Sequence, residues 1–164
     1  MMEHLSIPKE RLAILRKSNV WKERLKEFLD VGVDIKEDVE ITGDLFQVLR
    51  VKEILKAFGR GFLFEETLDL LDEDYFLDII DISQFAGKSK KRQSILIGRV
   101  IGEGGVTKKM IEKLSMVKIA IYGKTVSIIG KPENIKIARG AVEMILFGSK
   151  HNSVYRFLKE NKVV

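Results

Sequence analysis

Apolar positions along this chain change period several times, and the changes recur in the same order. MEHLSI, residues 2–7, reads as a short strand, and a short helix follows around Lys9–Leu15. Trp21, Leu25 and Phe28 then stand at i, i+4 and i+7, which predicts a longer helix with one apolar stripe. YFLDIIDI, residues 75–82, reads as another strand, followed by a helix around Lys91–Ile101 and a second stripe at Met110, Ile111 and Leu114. Alternation replaces the helical period in VKIAIY, where Val117, Ile119 and Ile121 share a face. KTVSIIG supplies a partner strand, with Tyr122-Gly123-Lys124 as the tight connection. PENIKIARGAVEMILFG is a helix with Pro132 in its first turn and Gly148 at its end.

Displacing the chain on itself by 86 residues makes the recurrence explicit. Ile14-Leu15 falls on Val100-Ile101, Leu25 on Ile111, Phe28 on Leu114, and Val33 and Ile35 on Ile119 and Ile121. After a one-residue gap ITGD meets IIGK, and Val48, Ile54 and Gly61 meet Ile135, Ala141 and Gly148. The order β-α-α-β-β-α, twice, predicts an α+β chain in which each unit is a three-stranded antiparallel sheet with helices on one face. The expected division is a first unit over 1–63, an acidic connector over 64–75, a second unit over 76–149 and a C-terminal helix and tail over 150–164. In the connector, Asp72, Glu73 and Asp74 lack the glycine turn and further acidic ligand of a cation cage, which favours a solvated linker. In the tail, Asn152 or Ser153 can cap a helix whose stripe is Val154, Phe157 and Leu158 and whose natural place is docked on one of the units. Tyr155 and Arg156 then point elsewhere, and with His151 are candidates for contact with a ligand or a partner.

Of the 164 residues 45% are hydrophobic and 32% charged, a globular balance that leaves no apolar run of the roughly 20 residues a membrane span needs. Without cysteine there are no disulfides and no thiolate metal sites, and MMEHLSIPKERL lacks a secretory apolar stretch, so the expectation is a cytoplasmic protein with no membrane partner. The net charge of +5 conceals a division: residues 1–75 carry 12 Lys or Arg against 17 Asp or Glu, and residues 76–164 carry 17 against 7. Either the basic half meets a polyanion or two faces of opposite sign attract each other.

The basic half contains GRVIGEGGVTKKMIEKL, residues 98–114, with four glycines in eight residues directly before a helix. Glycine reaches positive φ and admits a ligand close to the main chain, and the following helix N-terminus adds amide donors and partial positive charge. A phosphodiester fits such a site. Arg99, Lys108 and Lys109 surround it with mobile charge, and Lys88, Lys90, Lys91 and Arg92 extend the basic region upstream. A P-loop is excluded because Val106, not Lys, follows Gly105, and GxGxxG is excluded because Thr107 stands at its third glycine.

Val100-Ile101-Gly102-Glu103-Gly104-Gly105 resembles the VIGxxG signature of the KH family of RNA-binding domains, and the element order resembles its eukaryotic-type fold. The resemblance implies that Gly102, Glu103, Gly104 and Gly105 hold the backbone of about four unpaired nucleotides. Ile101, Ile111 and Ile119 would line or support the groove for the bases. Glu103 replaces a residue that is often basic in this family, and Lys108 stands where an apolar residue is usual. Lys108 either adds a phosphate contact, the favoured reading, or marks a shifted helix face. The first unit has Arg16-Lys17-Ser18-Asn19 at the loop position and no glycine, so the clamp is lost there and a scaffold or protein-binding role is expected. Trp21 is read as core in preference to a stacking platform.

AFGRGF (57–62), LLDEDYFLDIIDI (70–82), GRVIGEGG and the tail AVEMILFGSKHNSVYRFL (141–158) together are similar to the archaeal KH-domain proteins of small ribosomal subunit assembly, relatives of the eukaryotic factor called partner of Nob one. That resemblance implies single-stranded rRNA near the 3′ end of the small-subunit RNA as ligand, with the Nob-type endonuclease and the α subunit of initiation factor two as partners. It also leaves an alternative, an adaptor in assembly or initiation with weak RNA binding. His4 and His151 are the only histidines, no HExxH or GxSxG is present, and Asp78 and Asp81 fall on a strand without a cleft. The expectation is a binding protein, not an enzyme, with no cofactor and no metal.

Overall fold

The computed structural model describes residues 1–162, and the chain divides into two units, a first of Met1–Asp72 and a second from Glu73 on. In the first unit β1 (Met2–Leu5), α1 (Lys9–Arg16), α2 (Val20–Lys26), β2 (Val31–Ile35), β3 (Val39–Gly43) and α3 (Leu45–Gly59) follow one another, and α4 (Phe64–Thr67) runs into a 3₁₀ turn, Leu68–Leu71. The sheet is antiparallel with order β1-β3-β2. The central strand β3 buries Val39 and Ile41, and α3 turns Val48, Val51, Ile54, Leu55 and Phe58 inward at helical spacing. Arg11 fastens α1 to the end of α3, donating to the carbonyls of Phe58 and Phe62 at 2.9 and 2.7 Å.

The second unit repeats the scheme: β4 (Phe76–Asp81), a one-turn helix α5 (Ser83–Ala86), α6 (Lys90–Ile101), α7 (Val106–Ser115), β5 (Lys118–Tyr122), β6 (Thr125–Gly130) and α8 (Pro132–Leu146), then α9 (His151–Glu160). Its sheet is antiparallel with order β4-β6-β5, and a two-residue turn at Gly123-Lys124 joins β5 to β6. Pro132 opens α8, where its missing N–H costs nothing. Val126 and Ile128 of β6 meet Ile111 and Leu114 of α7 and Ala138, Ala141, Val142 and Ile145 of α8 in one core. Val154 and Leu158 of α9 are fully buried in that same core.

Several expectations change. The second helix of each pair is the shorter one, 7 residues for α2 and 10 for α7 against 8 for α1 and 12 for α6. Phe28 lies beyond the end of α2 and is half exposed, with the Arg24 guanidinium 4.9 Å from its ring centre; a cation over an aromatic face, not the core, holds it. The repeat slips at the first helix, because Leu15 and Val100 are the buried residues there and Ile14 is exposed. It fails at the first strand, where α5 and its flanks lengthen the second unit. Residues 64–71 pack onto α3, with Thr67 and Leu70 buried, so the contiguous first unit runs past 63 to Asp72. Neither Asn152 nor Ser153 caps α9; the N-cap is Lys150 and both lie in the first turn.

Candidate nucleic-acid interface

The interface is built outward from the end of α6. Ser89 caps that helix, its Oγ accepting from the Arg92 amide at 3.2 Å, and places Lys90, Lys91 and Arg92 in the first, exposed turn beside Lys88. Lys91, Ile95, Gly98 and Gly102 follow at i, i+4, i+7 and i+11 and share one face of α6. Ile95 is 56% exposed, an apolar patch between the basic turn and the loop.

At Gly102 the chain leaves the helix with φ 76°, and Gly104 and Gly105 follow at φ 62° and 79° inside a 3₁₀ turn over Glu103–Gly105. Three left-handed residues in four fold the loop back on itself, and the Gly105 amide donates to the Gly102 carbonyl at 3.1 Å. Glu103 and Gly104 are exposed, and no side chain caps the N-terminus of α7. A bare helix N-terminus behind an exposed turn offers an anion main-chain amides and the positive end of the helix dipole. Among the described residues no carboxylate engages Lys88, Lys90, Lys91, Arg92 or Lys109, so their charge is available.

The other expected residues divide. Ile111 and Ile119 are buried in the core of the second unit, whereas Ile101 is half-buried beside the loop. Lys108 has Nζ 3.8 Å from Glu112 and is half-buried. The residue turned inward in its place is Thr107, 1% exposed, so the face of α7 is shifted by one position. Arg99 is not a mobile charge: its guanidinium donates to the carbonyls of Ile145 and Ser149 at 2.8 and 2.5 Å and closes the C-terminal end of α8, where positive charge is favoured. Tyr155 does not point away either; its hydroxyl shares a 2.9 Å hydrogen bond with Thr107 Oγ1. His151 Nε2 lies 2.9 Å from the Arg99 carbonyl and its ring stacks on Tyr155. Sequence reasoning missed this buttress of α9 behind the loop because its bonds join residues about fifty positions apart and leave no trace in periodicity.

In the first unit the corresponding turn keeps right-handed or extended backbone, and among the described non-glycine residues only Met116, in the second unit, has positive φ. Arg16 donates to the Lys36 carbonyl, and Trp21 is core, 6% exposed with Nε1 donating to the Leu15 carbonyl at 2.8 Å. The two carboxylates on β4 are structural. Asp78 takes both oxygens to Arg139 at 2.8 Å, which with Glu143 favours the charged guanidinium still further. Asp81 accepts from the Ser83 hydroxyl and amide at 2.7 and 2.9 Å, bonds that hold its carboxyl below the ordinary carboxylate range. Among the described residues no group of three acidic or His side chains is arranged to hold a metal ion, and no helix is long and apolar enough to cross a membrane.

The model of the second PNO1 KH domain, a eukaryotic type KH-domain (KH-domain type I), matches residues 76–163. A KH domain-containing protein of Methanocaldococcus jannaschii is 38% identical over 98% of this chain and 74% of its own length. The pre-rRNA-processing protein pno1 of Schizosaccharomyces pombe is 28% identical over 96% of this chain and 70% of its own. The RNA-binding protein PNO1 of Oryzias latipes is 32% identical over 76% of this chain, which spans about half, 51%, of that relative. Among solved structures, the complex of a/eIF2alpha, aDim2p and rRNA from Pyrococcus horikoshii contains a similar chain, with a TM-score of 0.88 and 34% identity over 98% of this chain and 93% of that one.

Proposed function

Because this chain belongs to the family of archaeal KH-domain proteins homologous to the PNO1/Dim2 pre-rRNA-processing factors, we propose that it binds single-stranded rRNA near the 3′ end of the small-subunit RNA and acts in assembly or processing of that subunit. The observation that carries this reading is the exposed loop Gly102–Gly105, with three left-handed glycines in front of an uncapped helix. Gly102–Gly105 and the first amides of α7 hold the phosphates, Lys88, Lys90, Lys91, Arg92 and Lys109 attract the strand, and the bases lie along Ile95, Gly98 and Ile101. Glu103 points outward and reduces indiscriminate attraction to phosphate. Lys108, turned toward Glu112, and Arg99, turned toward α8, contribute less than the loop.

The first unit is a KH module that has lost its glycine loop, and its role is contact with protein. The partners that suit this reading are a Nob-type endonuclease, which performs the cleavage, and the α subunit of initiation factor two. The chain itself positions RNA and does no chemistry on it.

Fluorescence anisotropy with a single-stranded oligomer from the 3′ end of small-subunit rRNA tests the reading, with a scrambled strand and a duplex as controls. A doubly substituted chain, Glu103→Asp with Gly104→Asp, is the critical comparison, since a Cβ at Gly104 meets nothing within 4 Å and Asp tolerates left-handed backbone. The expected result is preference for the cognate strand and a loss of about tenfold or more in the variant, the weight of one or two charge-assisted bonds. Equal binding by both proteins reduces the loop to a turn and leaves the adaptor role.

A further inference from the structure

Along α8, Asn134, Ala138, Ala141 and Ile145 stand at i, i+4, i+7 and i+11 and share the inward face, and all four are buried. Asn134 is the one polar residue in that row and is 6% exposed. Its main-chain N–H donates to the Lys131 carbonyl at 3.0 Å, but among the described residues its side-chain amide has no hydrogen-bond partner. A buried amide without partners costs a fold free energy, and it is kept where something else meets it. Packing alone gives no reason for an asparagine at this place.

The side chain forms part of the wall of a cavity of about 470 Å³ within the second unit, lined also by Tyr75, Met116, Lys131, Glu133, Ile137 and the end of α9. Three helix ends converge on it, the start of α8 and the last turns of α7 and α9. Gly130 permits the convergence: a Cβ there would stand 2.8 Å from Val117 Cγ1 and 3.6 Å from Ile135 Cγ1, so the exit of α7 runs directly against the first turn of α8. Met116 makes that exit in the left-handed region, φ 57° and ψ 49°, where glycine is the ordinary choice, and its side chain is 61% exposed. A strained residue that carries an exposed thioether into the wall of a cavity points to a ligand.

Each wall has its own chemistry. Asn134 offers a donor and an acceptor side by side, Tyr75 a half-buried aromatic ring, and Met116 and Ile137 apolar surface. Lys131 brings a cation and Glu133 a carboxylate, both exposed. Among the described residues no ion pair engages either, and the Tyr75 hydroxyl has no partner. The amide of Asn161 is already committed, since its Nδ2 donates to the Phe157 carbonyl at 2.8 Å.

We propose that this cavity binds an adenosine phosphate, with the Asn134 amide paired to the adenine edge, Tyr75 and Met116 against the base, Glu133 accepting from ribose hydroxyls and Lys131 meeting the phosphate. A side-chain amide is the natural bidentate match to the amino group and neighbouring ring nitrogen of adenine. A phenol ring and a thioether suit a flat, polarizable base, and the volume is that of a small-molecule site. A peptide group also pairs with an amide. The nucleotide is favoured because the second unit is strongly basic, 17 Lys or Arg against 7 Asp or Glu over 76–164, and attracts phosphate. The proposal goes beyond the RNA reading, since the cavity lies at the opposite end of α7 from Gly102–Gly105. A free nucleotide and an adenosine within an RNA strand present the same groups to it.

The test uses the full chain, labelled with ¹⁵N, and adenosine 5′-monophosphate at millimolar concentration. Saturable shifts are expected for the Asn134 side-chain NH₂ and the amides of Met116 and Ile137, and not at Gly102–Gly105, which separates this outcome from the fate of the RNA reading. Purine riboside 5′-monophosphate, which lacks only the amino group, should bind about tenfold more weakly. Asn134→Ala should weaken the complex by about tenfold or more. Lys131→Gln, at an exposed side chain, should weaken the monophosphate and leave adenosine unchanged. Pentaadenylate against pentauridylate identifies the source: shifts at Asn134 with pentaadenylate place the adenosine within RNA, and shifts with the monophosphate alone make it a free nucleotide. No saturable shift with either ligand, equal binding of purine riboside monophosphate, or undiminished binding by folded Asn134→Ala overturns the inference. So does an acetylated, amidated Ala-Tyr-Ala peptide that moves these signals when the nucleotide does not, for the cavity is then a peptide site.

Discussion

At Gly102 the main chain takes φ 76° and ψ 169°, a region open in practice to glycine alone, and a Cβ there would stand 2.2 Å from Thr107 Oγ1 and 2.8 Å from the Thr107 amide nitrogen. The second contact is with backbone at the start of α7 and cannot be relieved by turning a side chain. Gly104, at φ 62° and ψ 17°, has open space around its missing Cβ. Two glycines of one motif thus differ: one fixes the path of the chain, and the other leaves open space outside the turn. Gly102→Ala is expected to lower stability by roughly 2–3 kcal/mol in urea unfolding, from backbone strain and the clash together. Gly104→Ala is expected to cost about 1 kcal/mol, the usual left-handed penalty. Equal losses at the two positions would mean that the loop relaxes as a unit and that the division is wrong.

Among the elements, the strands and helices that carry the sheets were legible because period and punctuation agree: alternation in 117–122, Pro132 at a helix start, Gly123 in a turn. The glycine loop was legible for the same reason, since only one residue type reaches those dihedrals freely. What could not be read were residues whose partners are distant in sequence. Phe28 has helical spacing from Trp21 and Leu25, yet α2 ends at Lys26, before reaching it, and β2 follows from Val31. Lys108 and Thr107 are adjacent, and nothing local says which faces the core until Tyr155 of α9 supplies a hydroxyl for Thr107. Arg99 illustrates the cost of reading charge without partners. Its guanidinium joins α6 to the end of α8 through Ile145 and Ser149, so Arg99→Ala should lower stability by about 1–2 kcal/mol while changing the RNA affinity of the folded protein by less than about twofold. A large loss of affinity with unchanged unfolding would return Arg99 to the interface.

Charge is a property of the whole molecule, and its unequal division makes a quantitative demand on binding. Residues 76–164 hold 17 basic against 7 acidic side chains, and the exposed cations Lys88, Lys90, Lys91, Arg92 and Lys109 lie before and after the glycine loop. A strand whose backbone is held at about four nucleotides releases counterions from about four phosphates, which predicts a slope near −3 for log affinity against log salt with single-stranded RNA. Lys90→Gln with Lys91→Gln should flatten that slope by about one unit without disturbing the fold, because both side chains are exposed in the first turn of α6 and the Ser89 cap is kept. The loop works by a different means, since main-chain amides carry no net charge. Gly104→Asp should therefore lower affinity at every salt concentration through lost close contact and added repulsion, whereas the lysine pair acts most at low salt. A salt slope near zero in the unsubstituted protein would remove the basic half from the contact surface, and with it the reason for placing RNA on the second unit.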